Sequence, residues 1–295
     1  MGTGCRVGDI TLEARACLEQ ADKVFHVIAD PLTAKTIRDL NPSTEDLHAL
    51  YEQGKDRKKT YAEMVARILS EVRLGNFACA AYYGHPGVFA FPTHESIRQA
   101  RAEGYSARML PAVSAEDWLF ADFGVDPSTS GCQSFETTDF LVNRRRHDPT
   151  SHLILWQVGV IGALDFRWRY DYRKNLGVLT EQLLRHYNSD HRVALYRINP
   201  IPICDPDIEW MRLTDLPTAS LTASSTLLVP PLLTRDDAGE TSAPGGGGVP
   251  ELAHRLPVGA VQQLGARVGP PLRRDSEDIA ATQRAPCSRS RTHST

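Results

Sequence analysis

Tyr82-Tyr83-Gly84-His85-Pro86-Gly87-Val88-Phe89 follows an apolar run, Phe77 to Tyr83, and precedes a helical pattern from about Thr93 to Glu103. A strand that runs into glycines and then into a helix is where open α/β sheets take up ligands, outside the carboxyl ends of the strands. Glycine adds close access to the backbone for a small molecule. Taken alone, Gly84 to Gly87 reads more readily as a turn that needs Gly and Pro, so the surroundings decide its meaning.

Outward from that stretch, from Gly2 to about Leu233, short apolar runs alternate with amphipathic stretches. This is the pattern of an α/β fold with helices on both faces of a largely parallel sheet. Val24 to Ile28, Phe77 to Tyr83, His152 to Val158, Val193 to Ile198 and Thr226 to Val229 read as strands. In Tyr61 to Val72 the apolar positions 61, 64, 65, 68, 69 and 72 keep helical spacing. Ser114, with Asp117 three residues on, predicts a capped helix over Ala115 to Phe123. After Leu233 the texture changes. Gly245 to Gly248 and many small polar residues predict a mostly disordered tail, with a short helix at most near Gly259 to Gly265.

The 295 residues exceed one average domain and predict two lobes, 1–110 and 111–233, followed by the tail 234–295. A formal charge of -3 supplies no positive field for nucleic acid or an anionic membrane. No apolar run reaches the roughly 18 residues of a membrane span, and the start lacks a signal-peptide pattern, so a cytoplasmic protein is expected. The six cysteines form no CxxC pair and the histidines no HExxH, so no metal is expected. There is also no GxxxxGK[ST] phosphate loop, and Gly2-Thr3-Gly4 has only Met1 before it rather than the strand a dinucleotide loop requires.

Arg57 and Tyr61 are four apart. If the helix extends back by a turn they share a face, and a guanidinium beside a phenol favours phenolate and makes a candidate base. The plainer reading has Tyr61 as the first core residue of its helix and Arg57 as a solvated charge. Tyr51 would add a second phenol to the same pocket. Arg144-Arg145-Arg146 reads as a solvated loop.

The order of these motifs carries more than any one of them. Tyr83 to Phe89, Gly104-Tyr-Ser-Ala-Arg-Met-Leu-Pro-Ala-Val-Ser-Ala-Glu-Asp117, Ala121-Asp-Phe-Gly-Val-Asp-Pro127 and Trp156-Gln-Val-Gly159 together resemble the tetrapyrrole (corrin/porphyrin) methylases. More narrowly, with Gly54-Lys-Asp-Arg-Lys-Lys-Thr-Tyr61, residues 2 to 233 resemble the fungal borosin-type peptide backbone N-methyltransferases. The resemblance implies two α/β lobes with S-adenosyl-L-methionine in the cleft between them, a peptide substrate carried in cis or in trans, and a homodimer. It implies that Tyr83, His85, Val88, Phe89, Ser114, Ala115, Gln157, Ser225 and Thr226 bind the cofactor. It makes Arg57 and Tyr61 the catalytic pair, and Tyr51 and Tyr83 the substrate-binding phenols.

Three departures accompany it. The resembled family carries an apolar strand before the first glycine loop, so a sheet short of one strand is expected here. Ala112 stands where that family commonly has glycine. No clasp of helices is evident after residue 233, and Leu256-Pro-Val-Gly-Ala-Val261 is the nearest thing to an apolar core peptide. Methylation of a tetrapyrrole or another small molecule, and a degenerate product without catalysis, are the competing readings.

Overall fold

The computed structural model describes residues 1–170 and 172–232. In chain order the elements are α1 (Leu12–Gln20), β1 (Lys23–Val27), α2 (Pro31–Leu40), β2 (Thr44–Asp46), α3 (Arg57–Arg73), β3 (Ala78–Tyr82) and α4 (Phe91–Ala102). There follow α5 (Ala115–Phe123), α6 (Pro127–Ser130), β4 (Cys132–Glu136), α7 (Thr137–Val142), β5 (His152–Trp156), α8 (Arg173–Leu183), β6 (Arg192–Arg197), β7 (Asp207–Arg212) and β8 (Thr226–Val229). The strands form two sheets, β2-β1-β3 and β4-β5-β8-β6-β7, each with its own helices. The class is α/β, as the alternation predicted.

Helix starts follow local chemistry. Asp30 and Asp56 cap α2 and α3 by accepting backbone N–H bonds, Pro31 opens α2 where no amide is needed, and Ser114 with Asp117 closes a capping box on α5. Within α3, Thr60, Met64, Val65, Ile68 and Leu69 are the buried stripe. The helix begins one turn before the apolar spacing does, so Arg57 and Tyr61 do lie one turn apart on it.

The first sheet is wholly parallel, with Lys23 to Val27 in register with Ala78 to Tyr82. The second departs from expectation. Only β4 and β5 run parallel, and β8 enters antiparallel between β5 and β6, with β7 antiparallel at the edge. The apolar runs were visible in sequence, but direction is set by where the connections lead, which periodicity does not encode. The edge strands β4 and β7 escaped notice because half-buried Gln133 and exposed Ser134, Glu209 and Arg212 mask the alternation.

Both sheets bury two faces, as strict alternation requires. Leu153, Leu155, Val193, Leu195, Leu227 and Val229 form one face of the second core, and Ile154, Trp156, Ala194, Tyr196 and Leu228 the other. In the first sheet Val24, Cys79 and Ala81 oppose Phe25 and Tyr82. The expected gap beside β3 is partly filled by the chain's first residues. Met1 carbonyl accepts from Tyr82 N at 3.0 Å, Thr3 N donates to Tyr82 carbonyl at 2.9 Å, and Gly2 pairs parallel with Tyr82. Ala112 is not among the left-handed residues, so its methyl group sits without backbone strain. The tail 234–295, the Gly259 to Gly265 helix and the Leu256 to Val261 stretch lie outside the described residues.

Candidate active site

A cleft of about 430 Å³ opens between the two sheets, at the carboxyl ends of β1, β3, β5 and β6 and the amino end of β8. Tyr51, Tyr61 and Met64 form its floor, and the loop from Tyr83 to Ala90 crosses one side. Ser114 to Glu116, Trp156, Gln157, Tyr196 and the Ala223 to Thr226 turn supply the opposite wall. Volume alone does not single this cleft out, since spaces of about 480 and 640 Å³ lie behind β3 and between the outer faces of α3 and α4.

Backbone strain does. Among the described residues only Phe89, Arg144 and Gln157 are non-glycine residues at positive φ, and Phe89 (52°) and Gln157 (61°) both line this cleft. Left-handed backbone at a residue with a Cβ costs on the order of 1–3 kcal/mol, so it persists where surrounding contacts hold it and function uses it. The Phe89 ring lies 6.2 Å from that of Trp156, closing the glycine loop onto the second lobe. Gly84, at φ 66°, makes the turn, and Gly2 passes so near that a Cβ there would stand 2.4 Å from the Gly84 carbonyl. Asp9 ties this region to α5: one carboxylate oxygen accepts from Cys5 N, Arg6 N and Trp118 Nε1 at 2.9, 3.0 and 2.8 Å.

Ten of the residues singled out from sequence converge here: Tyr51, Tyr61, Tyr83, His85, Val88, Phe89, Ser114, Ala115, Gln157 and Thr226 all line the cleft. His85 Nδ1 accepts from Gly87 N at 3.0 Å, which fixes the ring in the turn. The Ser114 hydroxyl is spent on the α5 cap, leaving the backbone amides at that helix start as the free donors. Two residues stand outside the lining. Ser225 is fully buried and its hydroxyl accepts from Thr222 N at 3.0 Å, while its neighbours Ala223 and Ser224 face the cleft. Arg57 turns to the second lobe, where Nη2 donates to the Tyr170 hydroxyl at 2.8 Å.

Electrostatics divides the phenols by role. Burial raises Tyr51, and Tyr61 beside it adds to the shift while Arg57 opposes it. Burial of the hydroxyl also raises Tyr83, helped by Cys5, Asp9 and Asp30. Both therefore stay protonated near neutral pH and serve as hydrogen-bond donors. Burial works against the charge on Arg57, but Tyr170, Tyr61 and Tyr51 together more than offset it, and the net direction is upward.

The sequence reading missed Trp156, Tyr196 and the Ala223-Ser224 edge of the turn. Trp156 carried a signal, as an aromatic at the carboxyl end of an apolar strand. Tyr196, whose hydroxyl donates to Asp122 at 2.7 Å, reaches the cleft only because β8 separates β6 from β5.

This is the architecture of an α/β ligand-binding protein whose cleft, at about 430 Å³, falls within the roughly 300–1,000 Å³ of small-molecule sites. The profile of the Tetrapyrrole (Corrin/Porphyrin) Methylases matches residues 1–197, and the chain belongs to that family. It is 44% identical over 229 residues to a methyltransferase/ribosomally synthesized type III borosin cyclic peptide precursor of Anomoporia bombycina, covering 76% of this chain and 27% of that protein. It is 42% identical over 238 residues to a type I borosin precursor of Coprinopsis marcescibilis, covering 78% and 61%. It is also 42% identical over 207 residues to the omphalotin A precursor of Omphalotus olearius, covering 70% and 50%. The chain thus spans between 27% and 61% of the length of these relatives. The fold is similar to that of uroporphyrin-III-C-methyltransferase from Thermus thermophilus (TM-score 0.54, 20% identity, covering 78% of this chain and 91% of that one). It is similar also to cobalt precorrin-4 methyltransferase (TM-score 0.56, 16% identity, covering 78% and 92%).

Proposed function

We propose that the chain is an S-adenosylmethionine-dependent methyltransferase acting on backbone amide nitrogens of a peptide. The observation that carries this reading is that three phenols, Tyr51, Tyr61 and Tyr83, open into the same strained cleft as the glycine loop. Relatives whose names join a methyltransferase to a cyclic peptide precursor support the choice of a peptide, in cis or in trans. A homodimer in the cytoplasm belongs to the same proposal. Among the described residues no helix is long and apolar enough to cross a membrane.

The cleft fits the cofactor by its volume, by uncovered apolar side chains at Val88 and Phe89, and by free amides at the start of α5. Tyr83, His85, Val88, Phe89, Ser114, Ala115, Gln157 and Thr226 would hold it, with Ser225 bracing the turn behind Thr226. When bound, S-adenosylmethionine would supply an electrophilic methyl group whose leaving group is a neutral thioether.

The protein must make the amide nitrogen nucleophilic, because resonance draws its lone pair into the carbonyl. A phenol is a stronger acid than an amide by roughly 5–7 units, so direct proton transfer is uphill by about 7–10 kcal/mol. Tyr61, as the phenolate, takes the proton from nitrogen and is left as the neutral phenol. Tyr51 and Tyr83, protonated, donate to the carbonyl oxygen as charge moves onto it, and the cleft holds nitrogen in line with the methyl group.

Calorimetric titration with S-adenosylmethionine, followed by mass analysis of the chain and of a synthetic peptide of residues 252–265, tests the reading. Binding at about micromolar Kd with a gain of one CH2 per methyl supports it. Tyr61→Phe is expected to keep the binding and lose at least about 100-fold in transfer rate. A folded chain that binds no cofactor sinks the proposal, and unchanged transfer in Tyr61→Phe removes the base role alone.

A further inference from the structure

The segment Leu164 to Tyr170 of the second lobe is laid against the start of α3 in the first. Gly54 N donates to Phe166 carbonyl at 2.7 Å, Phe166 N to Lys55 carbonyl at 2.9 Å, and Arg57 N to Leu164 carbonyl at 3.1 Å. Asp56 and Asp165 form an antiparallel bridge between them. Side chains extend the contact: the Phe166 ring packs 4.9 Å from Tyr51, and Trp168 N donates to Gln53 Oε1 at 3.0 Å.

At the end of this segment the Tyr170 hydroxyl uses all its capacity. It accepts from Arg57 Nη2 at 2.8 Å and from Arg167 N at 2.9 Å, and donates to Asp165 carbonyl at 3.3 Å. Its ring lies 5.7 Å from the guanidinium carbon. Arg57 Nε is the exception: it is buried, with no hydrogen-bond partner among the described residues. A guanidinium anchored through Nη2, with a buried donor still unspent at Nε, has a hydrogen bond left to give an acceptor.

We infer that Tyr170 is a positioning residue for Arg57, holding the guanidinium so that Nε remains free for the oxygen of a bound peptide. The inference rests on the proposed peptide methyl transfer, with Tyr61 as base, and adds to it a role for Arg57. Arginine reaches through four flexible bonds, and a charged donor stabilises a developing oxyanion best when it need not reorganise. Tyr170 supplies that fixity from a point 113 residues away, on a segment of the second lobe that is hydrogen-bonded to the first.

The test uses the full chain labelled with nitrogen-15 arginine, observed by NMR in the wild type, Tyr170→Phe and Tyr170→Gln. Methyl transfer is measured on the peptide of residues 252–265 and on the chain itself, with Arg57→Ala and the double variant Arg57→Ala/Tyr170→Phe included. Restricted rotation of the Arg57 guanidinium is expected in the wild type, free rotation in Tyr170→Phe, and partial return of restriction in Tyr170→Gln, which restores an acceptor. Transfer by Tyr170→Phe is expected to fall about tenfold with cofactor affinity within twofold, and the fall is expected to vanish in the Arg57→Ala background. Unchanged Arg57 dynamics, an unchanged rate, or equal losses in both backgrounds overturns the inference. Full transfer by Arg57→Ala would instead remove the catalytic reading of Arg57, an outcome visible whatever Tyr170 does. Circular dichroism of each variant separates these results from loss of fold.

Discussion

The two lobes solve the same packing problem with different thoroughness. The second closes five strands around Leu153, Leu155, Leu195 and Leu227, each nearly free of solvent. The first has three strands and a space of about 480 Å³ behind β3. Buried hydroxyls without partners among the described residues occur in both, at Thr60, Tyr82, Thr93 and Ser96 in the first and at Thr180 and Tyr187 in the second. Yet the phenols and the guanidinium proposed for the chemistry stand on the first lobe. The second contributes the wall, the strained Gln157 and the Leu164 to Tyr170 segment. Reactive side chains sit where packing is loose, and the tightly packed partner holds them in register.

That contrast is sharpest in the cores. Leu155→Ala should cost about 2–5 kcal/mol in urea unfolding, because close packing on both faces of β5 leaves little room to collapse around the void. A cost under about 1 kcal/mol would show the second core to be as adaptable as the first.

A smaller effect is expected from His26 in β1. Burial lowers its pKa in the folded state, with His48 and Arg38 adding to the shift and Asp46 opposing it. Because the folded pKa lies below the unfolded value of about 6.5, the unfolded chain binds more protons in the window below it. This contribution is therefore present above about pH 6.5 and is lost as the pH falls through the unfolded value toward the folded one. His147 and His191 shift the same way from the second lobe, also chiefly through burial. The unfolding midpoint should drop between about pH 7 and 5, and His26→Leu should lessen the drop. An identical pH dependence in that variant would assign the effect to the second lobe.

The smallest is expected at the space behind β3. Ser96→Ala removes a buried hydroxyl that has no partner among the described residues, and should be neutral or stabilising by up to about 1 kcal/mol. A loss of more than that would mean that the hydroxyl is satisfied in solution and that this lobe is less loosely built than its geometry shows.

Much of this was legible in the chain. The five strands read from sequence appear within a residue or two, α5 starts at its capping box, and ten of twelve named site residues line one cleft. These signals are local: apolar alternation, side-chain caps, and glycines that turn a strand end toward a ligand. Strand direction in the second sheet was not local, nor were the edge strands β4 and β7, whose exposed residues break the alternation.

By itself the sequence determined the central strands, the capped and amphipathic helices α3 and α5, and the residue types brought to the strand ends, because propensity and periodicity act over a few neighbouring residues. Only the tertiary structure decided that β8 would enter between β5 and β6, and that Tyr196 would therefore reach the cleft. It alone decided that Phe89 and Gln157 would both be held at positive φ, and that Arg57 would meet Tyr170 rather than solvent. Those features depend on groups far apart in the chain, and exist only once long-range packing outweighs the local preferences it overrides.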